Sequence, residues 1–356
     1  MLFLSIVIPA YNSQRTIIPL LISIADSKRV KFDEVEVIVV DDKSKDKSIE
    51  TVERFILRRS NNKFTNLKLI RLKRNVGPAE ARNIGVKYAK GKVILFLDAD
   101  VLVYRDTLYE VFRSFRNDPD LHALTGVWDK SQKSNNFFPK FKALRDWSYW
   151  INERDPKNYY YLFSTRVAAI DRDLFLRLGG FDTTYKAALV EDIELTYRIA
   201  RRYAVVFNPK VIVRHEFEDF VPIAKKYFWR SYYWSKIYRE RKKFDPVATT
   251  SKEAITTLSA GGLIVSLLCA GVLSVWGMRG IREIWEVEFW FLVLGSSFLV
   301  IHIWGVRKFL WFCAKEEGIW FAVKAFFTGI ILYLIILSGA VVSFLSTLWQ
   351  RAKKSH

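Results

Sequence analysis

From its start to about residue 130, the chain alternates between short apolar runs and segments whose apolar residues recur at helical spacing. Runs rich in β-branched residues are typical of buried strands, and spacings of three and four indicate helices. The pattern predicts strands at Leu2–Ile8, Val35–Val40, Leu67–Leu72, Val93–Leu97 and Ala123–Val127, with helices at Thr16–Ala25, Ser48–Arg59, Pro78–Ala89 and Asp106–Arg116. Alternation of this kind builds βαβ units. We therefore expect an α/β fold with a mostly parallel sheet.

Three later stretches contain no Asp, Glu, Lys or Arg: Ala254–Met278, Phe289–Val306 and Ala325–Gln350. A helix needs about 20 apolar residues to cross a bilayer, so the first and third stretches are long enough and the second is borderline. With three spans, the basic tail would lie opposite the basic segment that follows the second span, against the positive-inside rule. Three explanations of this conflict stay open. The second stretch could be re-entrant, the third could be something other than a simple span, or the tail could be an exception to the rule.

A segment rich in aromatic residues, Phe220–Lys236, precedes these stretches and carries Lys and Arg beside an apolar face. This pattern is typical of a helix that lies in the membrane interface, although an ordinary amphipathic core helix is the alternative. We therefore expect an α/β domain at residues 1–218, an interfacial region at 219–252 and a transmembrane region of about three spans at 253–356.

The chain has 56 Lys and Arg against 37 Asp and Glu, a net charge of +19. The bases form no single tract and accompany no nucleic-acid-binding motif, so anionic lipid headgroups explain them better than nucleic acid. Two cysteines, Cys269 in an apolar segment and Cys313 in an expected loop, argue against a disulfide framework. The apolar N-terminus lacks a basic leader and stops at Pro9, which predicts a first strand and not a signal peptide.

Two aspartates, Asp98 and Asp100, directly follow the apolar run Val93–Leu97. Ligand sites in open α/β sheets lie at the carboxyl ends of strands. Paired carboxylates there suit Mg²⁺ or Mn²⁺ bound to a diphosphate. A pair of aspartates that only caps a turn or a helix is the alternative.

Six motifs fall in one order along the first half of the chain. They are SIVIPAYN (Ser5–Asn12), VVDDKS (Val39–Ser44), NVGPAEARNIG (Asn75–Gly85), LFLDAD (Leu95–Asp100), LGGFD (Leu178–Asp182) and VEDIEL (Val190–Leu195). In this order and spacing, residues 3–215 resemble the inverting family 2 glycosyltransferases of GT-A fold. The resemblance implies a Rossmann-like GT-A domain that binds a nucleotide-diphosphate sugar, with Mg²⁺ or Mn²⁺ as the cofactor.

The resemblance also implies roles for individual acidic residues. It assigns Asp98 and Asp100 to the metal and to the ribose of the nucleotide sugar, with Asp100 favoured as the direct metal ligand. It assigns His215 to the metal, although His215 could be a hydrogen-bonded structural residue. It makes Asp192 the general base that deprotonates the acceptor, and Glu191 a positioning residue beside it. Capping of the helix that follows, expected at Ile193–Arg202, is the alternative for both acids.

Further positions are expected to bind the nucleotide sugar. The resemblance carries contact with the base to Asp42, where Asp41 could serve instead. A strand-to-helix loop at Pro9, Ala10 and Tyr11 could pack on the base, or could be a simple turn. Arg82 could face phosphate or form a surface salt bridge, and Arg230 is a candidate on charge alone.

These features together predict a membrane-anchored, metal-dependent inverting glycosyltransferase of hexosyltransferase type. We expect a nucleotide-diphosphate sugar donor, with UDP favoured, a lipid-borne acceptor (polyprenyl phosphate or lipid-linked saccharide), and contact with membrane lipids. The expected location is the cell membrane, multi-pass, with a cytoplasmic catalytic domain. A processive polysaccharide synthase and a non-catalytic membrane scaffold are the alternatives. Tyr227–Ser231 lacks the Gln-x-x-Arg-Trp order of processive relatives, which weakens the first of these.

Overall fold

The computed structural model describes residues 2–57, 64, 66–154, 160–184, 190–244, 250–277 and 283–354. The chain divides into two compact units, Met1–Phe217 and Glu218–His356.

The described residues of the first unit alternate between strands and helices. The strands are β1 (Leu4–Ala10), β2 (Val35–Asp41), β3 (Leu67–Arg71), β4 (Val93–Leu97), β5 (Val101–Val103), β6 (Ala123–Trp128), β7 (Val167–Asp171) and β8 (Val205–His215). The helices are α1 (Ile17–Ala25), α2 (Ser48–Leu57), α3 (Pro78–Tyr88), α4 (Thr107–Asn117), α5 (Phe137–Ile151), α6 (Arg172–Arg177) and α7 (Glu191–Ile199). The elements expected before residue 130 are confirmed with small shifts at their ends. The last two residues expected in α2 lie outside the described residues.

The strands form one sheet in the order β3-β2-β1-β4-β7-β6-β8-β5. β2 and β4 are buried along their whole length, and β1 is buried except at Pro9. β1 pairs in parallel with both β2 and β4, as predominantly apolar strands covered by helices on both faces should. β7 runs antiparallel to both its neighbours, β4 and β6, and β5 runs antiparallel to β8. The expected Rossmann-like sheet is therefore present, with two reversed strands.

The strand directions bring one set of strand ends to a common edge. β1, β2, β4, β6 and β8 finish at this edge, and the reversed strands β5 and β7 begin there. The pairing of Leu97 with Val167 and of Val101 with His215 fixes that arrangement. We call it the site edge, and the residues just beyond Ala10, Asp41 and Leu97 lie on it.

The second unit consists, in its described residues, of the helices α8 (Phe220–Arg241), α9 (Ser251–Gly277), α10 (Glu283–Glu317) and α11 (Ile319–Lys354). Among the residues that could be searched, three helical segments are long and apolar enough to cross a membrane: Ser251–Trp276, Trp285–Glu317 and Ile319–Gln350. The second stretch, which the sequence marks as borderline, is thus the middle of a continuous helix. The expected loop position of Cys313 is wrong, because Cys313 is buried inside α10.

Small residues allow the helices of this second unit to pack closely. A Cβ on Gly262 would lie 2.5 Å from the Phe298 ring, and one on Gly339 would lie 2.4 Å from the Phe228 carbonyl oxygen. Close approach through glycine and hydroxyl residues is the usual basis of helix association in membranes. Ser231 Oγ accordingly donates to the Ile336 carbonyl at 2.6 Å and joins α8 to α11.

The carboxylate of Glu36 on β2 is fully buried in the core of the first unit. Its Oε1 accepts Ser5 Oγ at 2.6 Å, and its Oε2 accepts Lys68 Nζ at 3.0 Å. The backbone N–H groups of Lys90 and Gly91 also donate to Oε1. Burial raises the pKa of Glu36, but these hydrogen bonds together lower it below its ordinary value.

We predict that Glu36→Gln lowers the free energy of unfolding of the first unit at pH 7 by about 2–3 kcal/mol, because charge-assisted hydrogen bonds are lost. Since the pKa of Glu36 is lower in the folded state, its stabilising effect is full above the ordinary value of 4.5 and is lost as pH falls through the folded value. The difference in the free energy of unfolding between wild type and Glu36→Gln should therefore become smaller below pH 4.5. Denaturant titrations of the purified full chain at several pH values measure it.

Glu50→Gln is the matched control, because it replaces the same carboxylate by the same amide at an exposed position on α2. It should change the unfolding free energy by no more than about 0.5 kcal/mol. A Glu36→Gln difference that stayed constant from pH 7 to pH 3 would contradict the assigned role of the charge.

Candidate active site

Asp98 and Asp100 lie at the site edge, where the chain passes from β4 into β5. Because Val101 pairs with His215, the residue before Val101 stands beside the end of β8. Asp100 Oδ2 lies 3.4 Å from His215 Nε2. The Asp100 side chain is 55% exposed and faces solvent, whereas His215 is largely buried. The Asp100 carboxylate and the His215 imidazole are thus adjacent in the structure, although they lie far apart in the sequence.

Arg82 on α3 connects two of the acidic motifs. Its side chain is only 2% exposed, its Nη2 donates to Asp98 Oδ1 at 2.6 Å, and its Nη1 donates to Glu191 Oε1 at 3.1 Å. Burial lowers the pKa of Arg82, but the charges of Asp98 and Glu191 raise it above its ordinary value. Arg82 therefore stays charged and ties the end of β4 to the start of α7. Its expected contact with phosphate stays a prediction.

The acid pair Glu191 and Asp192 opens α7, as the sequence predicts, although the helix begins at Glu191 itself. Glu191 is buried against Arg82. Asp192 is half-buried, and its Oδ1 accepts the Ile193 N–H at 2.8 Å. The two acids therefore differ in environment: one is fixed by an ion pair, and its neighbour keeps access to solvent.

The electrostatics of the pair Asp100 and His215 favour an ionised carboxylate. Desolvation raises the pKa of Asp100, but the hydrogen bond and charge of His215, together with the charge of Arg166, lower it below its ordinary value. Asp100 is therefore available as an anionic oxygen ligand near neutral pH.

The side chains of Asp100 and His215, with Asp98 close by, could supply part of the coordination shell of a divalent cation. Across the described ranges, no three His, Cys, Asp or Glu side chains are grouped closely enough to hold a metal ion alone. Asp100 and His215 are nevertheless at a separation compatible with two ligands of one ion, and Asp98 lies two residues away with its Oδ1 bound to Arg82. Magnesium-type sites commonly use one or two carboxylates and complete the shell with substrate phosphates and water. Mn²⁺ additionally tolerates imidazole.

Asp42 lies beyond the end of β2 and is buried. Its Oδ1 accepts the Val76 N–H at 2.7 Å and its Oδ2 accepts the Gly77 N–H at 2.9 Å. Desolvation raises the pKa of Asp42 above its ordinary value, with the two amides opposing the rise. Asp42 therefore fixes the loop that leads into α3, and its contact with the base stays a prediction. Asp41 is also buried, and its Oδ2 accepts the Ser44 N–H at 3.1 Å.

The structure brings most of the expected site residues to one edge. Pro9, Ala10 and the half-exposed Tyr11 end β1 on that edge, beside the end of β2. Arg230 lies on α8 in the second unit, and its role stays a prediction. Asp98 and Glu191 meet at Arg82, and Asp100 lies beside His215.

Sequence reasoning missed Arg166 at this edge. It directly precedes β7, and Val167 pairs with Leu97, so Arg166 stands across from Asp98 in the register. No local signal identifies it, because a parallel β7 would have placed this residue at the opposite edge of the sheet.

Comparison with known proteins finds a family model that matches most of the first unit and relatives that match parts of the chain. The family model described as "Glycosyl transferase family 2" matches residues 5–178. The chain is 39% identical over 109 residues to the poly(ribitol-phosphate) β-N-acetylglucosaminyltransferase TarS of Staphylococcus aureus, covering 30% of this chain and 18% of TarS. It is 30% identical over 196 residues to a poly(ribitol-phosphate) β-glucosyltransferase of Bacillus spizizenii, covering 54% of this chain and 26% of that protein. The chain thus matches about a quarter or less of the length of these relatives.

A solved structure extends the likeness in fold to nearly the whole chain. The mannosyltransferase PcManGT from Pyrobaculum calidifontis, in complex with GDP-Man and Mn²⁺, superposes with a TM-score of 0.58 at 18% identity. The match covers 96% of this chain and 86% of PcManGT. At this identity the likeness establishes the fold, a GT-A domain followed by C-terminal helices. The match to the model described as glycosyl transferase family 2 lies within this GT-A domain, at residues 5–178.

Proposed function

We propose that this chain is a membrane-anchored, metal-dependent inverting glycosyltransferase that moves one sugar from a nucleotide diphosphate to a lipid-borne acceptor. Its proposed location is the cell membrane, with the first unit in the cytoplasm. The observation that carries the proposal is that the buried Arg82 joins Asp98 to Glu191, which brings the acids that follow β4, including Asp100 beside His215, to the start of α7 where Asp192 lies.

The proposed reaction is a single displacement at the anomeric carbon C1 of the donor sugar. The acceptor oxygen forms a bond to C1 as the bond from C1 to the diphosphate oxygen breaks, and the diphosphate leaves with the electron pair. For a hydroxyl acceptor, Asp192 takes the proton as general base. Glu191 is held by Arg82 and keeps the first turn of α7 in place, so that Asp192 faces the acceptor.

Asp100 and His215, with Asp98 beside them, would hold a Mg²⁺ or Mn²⁺ ion. When bound, such an ion supplies positive charge against the departing diphosphate. Within the chain itself, Arg82 keeps Asp98 in a fixed position, whereas Asp100 lies beside His215 with more than half of its side chain exposed.

The donor and acceptor are proposed on chemical grounds. A UDP sugar is our first choice, and the GDP-Man bound by PcManGT makes GDP-mannose the second donor to test. Three candidate spans that follow the transferase domain in the chain favour an acceptor that is embedded in the membrane, either a polyprenyl phosphate or a lipid-linked saccharide. The two curated relatives act on poly(ribitol-phosphate), a phosphate-rich acceptor, which is consistent with an anionic acceptor.

We predict that a cognate nucleotide sugar raises the thermal midpoint of the purified chain only when Mn²⁺ or Mg²⁺ is present, since a ligand that binds the folded state stabilises it. Asp100→Ala should abolish this metal-dependent shift and lower transfer by about 100-fold or more, because a ligand of the ion is removed. A thermal-shift screen of UDP and GDP sugars, followed by transfer assays, measures both effects.

Asp173→Ala is the matched control, because Asp173 is 81% exposed on α6, beyond the end of β7 that lies away from the site edge. It should keep the donor-dependent shift. Failure of every nucleotide sugar to shift the wild-type midpoint would contradict the proposal. Products carrying many added sugars would favour a processive synthase instead.

We predict that Asp192→Asn and Glu191→Gln fail in different ways. Asp192→Asn should lower kcat with a hydroxyl acceptor by about 100-fold to 10,000-fold while donor affinity and thermal midpoint stay near wild type, because only proton transfer is removed. Glu191→Gln should lower the thermal midpoint, because it weakens the compensation of the buried Arg82 charge. Calorimetric donor binding, melting curves and initial rates separate the two.

The acceptor class follows from the same variants. A phosphate acceptor is already ionised and needs little help from a base, so near-normal turnover by Asp192→Asn would indicate a polyprenyl phosphate. If Asp192→Asn instead lost donor binding along with turnover, the base assignment would be wrong.

A further inference from the structure

Arg166 occupies a position at the site edge that the reaction proposed above does not use. The antiparallel pairing of Leu97 with Val167 brings the residue before β7 beside the residue after β4. Arg166 therefore faces the same edge as Asp98. The charge of Arg166 makes a small contribution, after those of His215, to lowering the pKa of Asp100.

The guanidinium of Arg166 is held in place by an aromatic ring. Its Cζ lies 3.8 Å from the centroid of the Trp128 ring, at the end of β6. Trp128 in turn packs on Phe217, and Phe217 packs on His215, with ring centroids 6.5 Å and 4.7 Å apart. A continuous row of rings thus connects Arg166 to the proposed metal ligands, and stacking limits the conformations of its side chain.

The hydrogen-bonding capacity of Arg166 is left available. Among the described residues, its nearest carboxylate oxygen is Asp146 Oδ2 at 3.6 Å, which is too long for a hydrogen bond, and its guanidinium has no other polar contact. The Arg166 side chain is 20% exposed, so at least part of it reaches solvent. Asp146 is engaged more closely by Lys142, through a pair between successive turns of α5.

This combination is unusual for a purely structural arginine. An arginine that supports the fold normally forms short, often bidentate hydrogen bonds to a carboxylate or carbonyl, and Arg82 forms two such bonds, to Asp98 and Glu191. Arg166 is instead oriented by stacking, with its N–H groups unused, beside an acidic cluster that would repel any anion. A planar fork of free donors matches the geometry of phosphate oxygens.

We propose that Arg166 binds a phosphate oxyanion of one of the two substrates, either the diphosphate of the donor or a phosphate group of the acceptor. This inference rests on the proposed transferase function and adds an anion-binding residue that comes from the amino end of β7. Arg166 thereby offsets the repulsion that Asp98 and Asp100 would exert on the incoming phosphate.

The test compares ligands that differ only by phosphate. Binding of UDP and GDP against uridine and guanosine, with Mn²⁺, probes the donor side, and binding of farnesyl phosphate against farnesol in detergent micelles probes the acceptor side. Arg166→Gln should weaken binding of the phosphate ligand on one side by about tenfold or more, the usual effect of losing a charge-assisted hydrogen bond. Binding of the matching phosphate-free ligand should not change.

Two further variants separate binding from folding. Arg166→Met keeps an unbranched chain against Trp128 and removes the charge, so it should show the same loss even if Arg166→Gln lowers the thermal midpoint. Arg29→Gln is the matched control, since the Arg29 guanidinium also stacks on a ring, 3.9 Å from Tyr109, at the edge where β2 begins. It should bind every ligand as wild type does.

The outcomes are distinct. A loss confined to UDP or GDP assigns Arg166 to the donor diphosphate, and a loss confined to farnesyl phosphate assigns it to the acceptor. Variants of Arg166 that bind every phosphate ligand recognised by the wild type with unchanged affinity would overturn this inference alone. A wild-type protein that binds neither nucleoside diphosphate with Mn²⁺ would instead overturn the proposed function.

Discussion

The ion pairs of one buried arginine hold the acidic edge of this protein together. Arg82 is surrounded by protein, so its charge could not be tolerated without compensation, and Asp98 and Glu191 supply that compensation at 2.6 Å and 3.1 Å. The two acids come from motifs that are far apart in the chain, one after β4 and one at the start of α7. Arg82, their shared partner, therefore fixes the spacing between the residues expected to bind the metal, near Asp98, and the expected general base, Asp192, next to Glu191.

The same contact gives two neighbouring aspartates different environments. One carboxylate oxygen of Asp98 accepts a hydrogen bond from Arg82. The Asp100 side chain is more than half exposed and lies beside His215. A carboxylate that is held by a buried cation is a poor candidate for rearrangement, and an exposed carboxylate beside an imidazole is a good one. Asp100 is for this reason the more suitable direct ligand of an ion. Asp98 is better suited to line the site in a fixed position.

The sequence predicts the first half of the fold well because burial on both faces of a parallel sheet leaves a continuous apolar signal in β1, β2 and β4. It predicts the acidic candidates because they follow those strands or open a helix. It does not reveal Glu36, whose partners come from β1, β3 and the loop before β4. A charged residue within an apolar strand is locally indistinguishable from a solvent-facing one.

The direction of β7 is a second property that local pattern does not contain, and it changes the chemistry of the site. The strand Val167–Asp171 is short, and only its pairing with β4 and β6 decides which of its ends meets the acids. Because it runs antiparallel, the site edge gains the positive charge of Arg166 opposite the carboxylates of Asp98 and Asp100.

That reversal sets the charge balance of the edge. The four carboxylates of Asp98, Asp100, Glu191 and Asp192 face the two guanidinium groups of Arg82 and Arg166. Two negative charges remain, which one divalent cation would neutralise. Without the guanidinium groups, the same cation would leave the edge anionic and repel a diphosphate at close range. The reversed strand and the buried arginine thus make an acidic edge compatible with phosphate-bearing substrates.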